Sequence, residues 1–443
     1  MIETETKIQR YESYKESGVE WLGEIPEHWE VLPLFALTKL KSITNNNGLE
    51  LLSVYLDKGV IRFSDVTAKR TNVTSLDLSK YQLVEPGDFV LNNQQAWRGS
   101  VGVSNYNGIV SPAYIVLSLH SNLNPTFANY LFRDGSMVSQ YLINSKGVGT
   151  IQRNLYWPSL RRSSISLPPL PEQTKIAQFL DDKTTKIDEA IAIKEQQINL
   201  LKERKQILIH KAVTRGLNNN VSLKDSGVEW IGEIPEHWEV KRFRYVFNLG
   251  KGLTITKDNL REEGVFCVNY GEIHSKYGFE LNTNIHKLKC VDEDYLLNNP
   301  SALINYGDFV FADTSEDIEG SGNFTYLESK DEIFAGYHTV VAKPKFEIES
   351  RFFAYIFESE SFRNQIRTKV KGVKVFSITQ SILKQPTVWY PSKKEQKEIV
   401  DYLDSGTKKI ETAISLKQQE IAKLKEYKSS LINSVVTGKV RVC

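Results

Sequence analysis

The sequence has few cysteines and no long apolar run. Cys267, Cys290 and Cys443 share no short spacing, so neither a disulfide framework nor a zinc site is predicted, and reduced thiols are expected. The first ten residues lack an apolar core like that of a signal peptide, and no apolar stretch approaches the ~18 residues that cross a bilayer. These absences predict a cytoplasmic protein that does not associate with membranes.

The net charge is also small. The 443 residues carry 56 basic and 54 acidic side chains, a formal charge of +2. This balance does not indicate a nucleic-acid-binding protein, and any contact with phosphate must come from local groups of cations.

Common catalytic and cofactor motifs are absent. No glycine pair extends to G-x-G-x-x-G, no G-x-x-x-x-G-K-[ST] loop occurs, and there is no His-Glu-x-x-His pair. Asn299-Pro300-Ser301 does not complete the motif by which an amino-methyltransferase holds a flipped base. We therefore expect the chain itself to bind no cofactor or metal.

What the sequence does contain is a tandem repeat. Residues 15–31 and 224–240 are identical at 15 of 17 positions, and residues 172–214 and 395–437 align without a gap at 21 of 43. Between these blocks the halves diverge, apart from a shared Gly-Asp-Phe-Val at 87–90 and 307–310. Two halves with similar repeated blocks and different regions between them predict one fold carried twice, with two different recognition surfaces.

The second pair of blocks has a heptad pattern, which predicts a coiled coil. Two such helices in one chain most simply pack antiparallel. Residues 404–407 contain Gly406 and predict a break or kink in the second helix, and Ser392 with Glu395 predicts a capping box. The apolar heptad residues are Leu180, Ile187, Ile191, Ile198, Leu201 and Leu208, and Leu403, Ile410, Ile414, Ile421, Leu424 and Leu431.

The predicted fold class is α+β: two tandem, pseudo-two-fold-related α/β domains separated by two long antiparallel coiled-coil helices. Strands and turns dominate the variable regions, with helices over residues 125–142 and 350–369. The predicted boundaries are 1–170 for the first domain, 171–217 for the first helical spacer, 218–393 for the second domain and 394–443 for the second spacer.

Three segments of the variable regions, at residues 92–100, 146–162 and 361–375, contain no acidic side chain. Asn and Gln pair with adenine edges, Arg with guanine or phosphate, and flanking glycines let backbone amides approach phosphate. The alternative is that they are ordinary solvated loops. The candidate DNA-binding residues are Asn92, Asn93, Gln94, Gln95, Arg98, Lys146, Gln152, Arg153, Asn154, Arg363, Arg367, Lys369, Lys371 and Lys374, with weaker candidates at Lys276, Lys287, Lys289, Thr314 and Ser315.

Two other functions remain open on the residues alone. Asp313, Glu328 and Lys330 match the loosest spacing of a metal-dependent nuclease, in which carboxylates hold Mg²⁺ and a lysine stabilises the developing charge. The chain could also be a coiled-coil protein–protein scaffold without a DNA role.

The whole chain resembles the specificity subunit of type I restriction–modification systems. The resemblance lies in Trp-Leu-Gly-Glu-Ile-Pro at 21–26 and its repeat, in Pro-Gly-Asp at 86–88, in Leu-Pro-Pro-Leu-Pro-Glu-Gln at 167–173, and in the helices that end in Val-Thr at 213–214 and 436–437. Tyr306 departs from the pattern, because a proline precedes Gly-Asp in the first half.

The resemblance implies a subunit without a catalytic site. Each of two target-recognition domains would read one half of a bipartite double-stranded DNA sequence, and the paired helices would set the spacer. The partners implied are two modification subunits, which bind S-adenosylmethionine and methylate adenine N6 in a flipped base, and restriction (translocase) subunits. ATP and Mg²⁺ would likewise act through those partners in the endonuclease complex.

Overall fold

The structure, a computed structural model, describes residues 9–20, 22–66, 77–147, 153–372 and 374–442. The chain divides into two compact units. The first unit comprises Met1–Lys194 and Gln418–Cys443, and the second comprises Glu195–Lys417. Each unit thus combines one globular domain with the first part of one long helix and the last part of the other.

The globular part of the first unit is built on a four-stranded antiparallel sheet of order β4-β11-β8-β9, with further strand pairs around it. Phe89 on its central strand stacks on Phe132 at 4.3 Å between ring centroids. The elements are β1 (Tyr14–Glu16), β2 (Glu24–Pro26), β3 (Glu30–Pro33), β4 (Thr38–Lys41), β5 (Leu52–Tyr55), β6 (Gly59–Arg62), β7 (Gln82–Val84), β8 (Phe89–Asn92), β9 (Val101–Val103), β10 (Gly108–Val110), β11 (Tyr114–Leu119), α1 (Pro125–Arg133), α2 (Gly135–Ile143), β12 (Ser145–Lys146), β13 (Asn154–Leu155), α3 (Trp157–Leu160), β14 (Ser164–Leu167) and α4 (Leu170–Arg215).

The second unit repeats this plan with a five-stranded sheet of order β18-β27-β23-β25-β20 and a four-stranded sheet of order β21-β19-β26-β22. Its core is more aromatic, with Phe243, Phe309 and Phe357 all inaccessible to solvent. The elements are β15 (Leu223–Asp225), β16 (Glu233–Pro235), β17 (Glu239–Arg242), α5 (Phe243–Val246), β18 (Phe247–Lys251), β19 (Val265–Val268), α6 (Tyr270–Ser275), β20 (Phe279–Leu281), β21 (Lys289–Val291), α7 (Asp294–Asn298), β22 (Leu303–Ile304), β23 (Phe309–Ala312), β24 (Thr314–Ser315), β25 (Phe324–Leu327), β26 (Ile333–Ala335), β27 (Thr339–Pro344), α8 (Ser350–Glu358), α9 (Glu360–Arg367), β28 (Phe376–Ser377), α10 (Gln380–Leu383), β29 (Thr387–Tyr390) and α11 (Lys393–Val436).

The shared Gly-Asp pair makes the turn into the central strand of each sheet. Gly87 and Gly307 adopt φ of +93° and +84°, a region that glycine enters without steric cost. The next residue closes the turn with its side chain: Asp88 accepts a hydrogen bond from the Glu85 amide at 2.8 Å, and Asp308 is bonded in the same way three residues back. Burial raises the pKa of Asp308, although Lys343 and the backbone bond oppose this shift.

The helices predicted over residues 125–142 and 350–369 are each two helices. The first breaks at Asp134, whose backbone is extended and whose carboxylate accepts a hydrogen bond from the Ser136 amide, so that it caps the next helix. The second breaks at Ser359, which is also extended. Helical periodicity continues across both breaks because each following helix returns to the same core.

The two long helices pack on each other in each unit. In the first unit Lys194 pairs with Glu420 at 2.6 Å and Lys428 with Asp188 at 2.7 Å, so the partner number falls as the residue number rises. In the second unit Lys205 pairs with Glu411 at 2.7 Å. This confirms the predicted antiparallel arrangement. Of the heptad residues, Leu180, Ile187, Ile191, Ile198, Leu403, Ile410 and Leu431 are buried, and Leu201, Leu208, Ile414, Ile421 and Leu424 are partly buried.

The predicted break at residues 404–407 is wrong, because α11 continues through it. A Cβ atom on Gly406 would lie 2.7 Å from Leu208 Cδ2. The glycine therefore serves close helix packing. Among the described residues, no helix is both long enough and apolar enough to cross a membrane.

Candidate nucleic-acid interface

In the first unit, two of the three acid-free segments meet where the central strand ends. Strand β8 ends at Asn92, and the chain turns through residues 93–95 into a 3₁₀ helix, Ala96–Arg98. Strands β12 and β13 form a small antiparallel pair, and the Leu155 amide donates a hydrogen bond to the Asn93 carbonyl at 3.0 Å. Strand β13 is thus held against the strand-end turn, although Asn93 and Leu155 are 62 residues apart in sequence.

Cations lie over aromatic rings at this junction. The Arg98 guanidinium is 4.5 Å from the Trp97 ring centroid and that of Arg153 is 5.9 Å from it, while Lys146 Nζ is 3.9 Å from the Tyr156 ring. Such contacts hold the cations in place over the rings. Gln94, Arg98, Lys146 and Asn154 are exposed, whereas Asn92, Asn93, Gln95 and Arg153 are half-buried; Gln152 lies outside the described residues.

The second unit builds the same junction from different side chains. Asp313 directly follows β23, as Asn93 directly follows β8 in the first unit. The Asp313 carbonyl accepts a hydrogen bond from the Ile378 amide at 2.7 Å. At this point the second unit has the antiparallel pair of β24 and β28, where the first unit has the contact between β13 and the strand-end turn. Three exposed lysines, Lys369, Lys371 and Lys374, precede this pair. The structure therefore pairs Thr314 with Ser377, which lies two residues past the end of the third acid-free segment.

Other candidate residues of the second unit have protein partners. Arg363 binds Asn323 Oδ1 at 2.6 Å and Glu358 Oε2 at 2.7 Å, and Arg367 binds Glu360 at 2.5 Å, so these partly buried guanidiniums anchor α9. Ser315 is only 3% exposed. Of the weaker candidates, Lys289 pairs with Glu262, while Lys276 and Lys287 are exposed.

The repeated blocks join each globular domain to its helix. Trp29 Nε1 donates to Glu172 Oε1 at 3.1 Å, and His28 Nε2 lies 2.7 Å from Glu172 Oε2. Trp238, His237 and Glu395 repeat this arrangement at 3.1 and 2.9 Å. The predicted capping box is therefore incomplete: Ser392 accepts from the Glu395 amide at 3.5 Å, but the Glu395 carboxylate binds the tryptophan and the histidine.

Sequence reasoning missed the glutamine next to each of these acids. Gln173 is fully buried, accepts from the Asn124 amide at 2.8 Å and donates to the Pro168 carbonyl at 2.9 Å. Gln396 does the same with the Glu349 amide and the Pro391 carbonyl. The Glu-Gln pair recurs in both halves of the sequence and could have indicated this role. A buried amide needs partners for both its donor and its acceptor, so a repeated glutamine points to a repeated set of hydrogen bonds.

Tyrosines make a further repeated contact with the helices. The Tyr130 hydroxyl donates to Asp181 at 2.7 Å and the Tyr355 hydroxyl to Asp404 at 2.6 Å. Burial raises the pKa of Tyr130 to about 12, so the hydroxyl keeps its proton at neutral pH. These contacts orient each domain on the helix pair within its own unit.

The nuclease candidates do not converge. Strands β23 and β25 are antiparallel, with Phe309 opposite Tyr326 and Phe311 opposite Phe324. Asp313 and Glu328 therefore lie beyond opposite ends of the pair, about 20 Å apart at roughly 3.3 Å per residue. Within the described ranges, no cluster of three His, Cys, Asp or Glu residues could hold a metal ion.

Comparison with known proteins identifies the family. Residues 26–203 and 235–426 each match the model of the type I restriction modification DNA specificity domain. The chain is 26% identical to the type I restriction enzyme MjaVIII specificity subunit of Methanocaldococcus jannaschii, over 97% of both chains. It is 22% identical to the EcoKI specificity subunit of Escherichia coli, over 89% of this chain and 86% of that one.

Solved structures share the fold. One, from work on complex assembly and conformational transition of the type I R-M system, has a TM-score of 0.70 at 14% identity and covers 93% of this chain and 98% of its own. The HsdS subunit from Thermoanaerobacter tengcongensis has a TM-score of 0.50 at 15% identity, over 94% of this chain and 98% of its own. The chain belongs to the type I restriction–modification DNA specificity family and carries its domain twice.

Proposed function

We propose that this protein is the non-catalytic subunit that gives a type I restriction–modification complex its DNA sequence specificity. Each globular domain reads one half of a bipartite double-stranded site. The observation that carries this is the junction found in both units. The backbone bond from Leu155 to Asn93 recurs from Ile378 to Asp313, but the surrounding side chains differ. We call this junction the reading edge of each unit. The two reading edges share a backbone contact but carry different side chains, so they suit two different half-sites.

The contacts at these edges divide into two kinds. Exposed cations, among them Arg98, Lys146 and Lys371, provide sequence-independent attraction to phosphate. Amide side chains at the strand end, such as Gln94, are suited to base edges. Arg363 and Arg367 serve as internal anchors of this edge, because both are held by acids of their own unit.

The long helices supply the spacer and the docking surface. Helix α4 spans 46 residues, about 70 Å at 1.5 Å per residue. Leu200 and Ile207 are each 57% exposed on it, one heptad apart. Exposed apolar residues at this spacing suit docking of a partner helix. We assign them to the two modification subunits.

The chemistry belongs to these partners. The modification subunits supply S-adenosylmethionine and methylate adenine N6, and the restriction subunits use ATP and Mg²⁺ to cleave unmethylated DNA. We place this assembly in the cytoplasm, where it meets cellular and invading DNA. The proposed boundaries are 1–170 and 218–393 for the recognition domains, with spacers at 171–217 and 394–443.

The test is single-molecule sequencing of DNA from cells that express this chain with and without its cognate modification subunit. A bipartite N6-methyladenine motif that requires both chains is expected. Exchange of residues 32–166 with those of another family member should change one half-site alone, and a change in both would contradict the division of labour. If the two chains associate and are soluble but no motif appears, the protein is a scaffold.

A further inference from the structure

An acid and a histidine meet at the reading edge of the second unit. Asp313 Oδ1 lies 3.2 Å from His338 Nδ1 and accepts a hydrogen bond from the Thr314 hydroxyl at 2.7 Å. The side chain of His338 is 58% exposed and that of Asp313 is 34% exposed. Asp313 Oδ2 takes no hydrogen bond from the described residues, so one carboxylate oxygen remains available.

The backbone fixes His338 in this position. Its φ is +55°, a region that side-chain-bearing residues rarely occupy, and its carbonyl accepts from the Asp313 amide at 3.0 Å. Two hydrogen bonds hold the turn around His338. Thr339 Oγ1 donates to the Gly336 carbonyl at 2.7 Å, and the buried Asn269 Oδ1 accepts from the Tyr337 amide. Strain maintained by surrounding bonds is characteristic of functional positions.

A carboxylate at this place is unfavourable for phosphate binding. Asp313 directly precedes β24, which pairs with β28. Three exposed lysines, Lys369, Lys371 and Lys374, precede β28 in the chain. A fixed negative charge there repels the DNA backbone unless it meets a hydrogen-bond donor. In the major groove those donors are the exocyclic amino groups, cytosine N4 and adenine N6.

We propose that Asp313, positioned by His338, accepts a hydrogen bond from the exocyclic amino group of a cytosine or adenine in the half-site of the second unit. The inference rests on the proposed DNA-reading function. It makes Asp313 a specificity-determining residue and His338 a positioning residue that orients the carboxylate.

The first unit carries a related group at the same place. Asn93 follows β8 as Asp313 follows β23, and its side-chain Oδ1 is buried without a hydrogen-bond partner among the described residues. The Asn93 oxygen is thus closed to a base, whereas the Asp313 side chain is 34% exposed. We therefore expect an acceptor contact at this position in the half-site of the second unit and none from Asn93 Oδ1 in the first.

The experiment compares methylation motifs of the full chain, expressed with its modification subunit, for wild type, Asp313→Asn, His338→Gln and Asp292→Asn. Asp292 is the matched control: it is 34% exposed and pairs with Arg261, which is 61% exposed. Asp313→Asn should relax one position of one half-site from cytosine or adenine to additional bases, and His338→Gln should relax the same position less. The other half-site and the control motif should not change.

Purified complexes then bind duplexes that carry each base pair at that position. Wild type should discriminate by about ten-fold or more, and Asp313→Asn by about three-fold or less. Unchanged motifs and unchanged discrimination for both variants would overturn this inference and leave the proposed function intact. A wild-type complex that yields no bipartite motif would instead overturn the proposed function.

Discussion

The indole nitrogen of Trp238 donates a hydrogen bond of 3.1 Å to the carboxylate of Glu395 at the start of α11. Trp29 makes the same bond to Glu172 in the first unit, also at 3.1 Å. Each tryptophan is at most 1% exposed, so its N–H has no access to water. The repeated blocks therefore attach each recognition domain to its helix.

Glu395→Ala should lower the free energy of unfolding of the second unit by about 1–3 kcal/mol, because it leaves the buried N–H of Trp238 unsatisfied. Glu172→Ala should act similarly on the first unit. Glu398→Ala, an exposed position one turn further along the same helix, is the control and should cost less than about 0.5 kcal/mol. Urea unfolding of the three variants measures this, and equal effects at Glu395 and Glu398 would contradict it.

Gly252→Ala should destabilise the second unit by roughly 2 kcal/mol or more, since its Cβ would lie 2.1 Å from the Gly336 carbonyl oxygen beneath the reading edge. Gly271→Ala is the opposite case. It lies in α6 with nothing within 4 Å of an added Cβ and should stabilise by about 0.5–1 kcal/mol. Thermal unfolding of both variants decides whether the turn that carries His338 is packed this tightly.

Arg98→Ala should weaken DNA binding by the assembled complex and reduce the slope of log affinity against log salt by about 0.9, the value for one lost phosphate contact. Lys175→Ala, an exposed cation at the start of α4, should leave the slope unchanged. Fluorescence anisotropy at several salt concentrations measures both. A specificity change without a salt effect would assign Arg98 to a base instead.

Removal of one heptad from each helix, residues 198–204 and 421–427, keeps the apolar pattern and shortens the helix pair by about 10 Å. The methylated motif should then lose about three base pairs of spacer, at roughly 3.4 Å each, or assembly should fail. Removal of four residues from each helix breaks the heptad and should unfold the pair. A spacer that does not change after the heptad deletion would disprove the ruler.

Leu200→Glu and Ile207→Glu should weaken binding of the modification subunit by ten-fold or more, about 1.4 kcal/mol, because each places a charge in a buried apolar contact. Neither should change the unfolding of the isolated chain, since both side chains are 57% exposed. Lys202→Glu, a charge reversal on the same helix, is the control. Calorimetric titration with the modification subunit distinguishes these outcomes.

The sequence by itself determined the tandem organisation, the family and the two long helices. Those features are periodic or local, so a heptad at Leu180, Ile187 and Ile191 could be read without knowing what it packs against. The predicted break near Gly406 failed for the complementary reason: whether a glycine breaks a helix or admits a neighbour depends on Leu208, which is distant in sequence.

The tertiary structure alone decided which of the candidate polar residues are paired within the protein and which are exposed. Arg363 and Arg367 are of a residue type that commonly contacts DNA, but each forms an ion pair with an acid of its own unit. Asp313 had no visible partner until the sheet brought His338 beside it, 25 residues along the chain. Exposure and pairing of a charged group are set by strand register and domain packing, which composition does not encode.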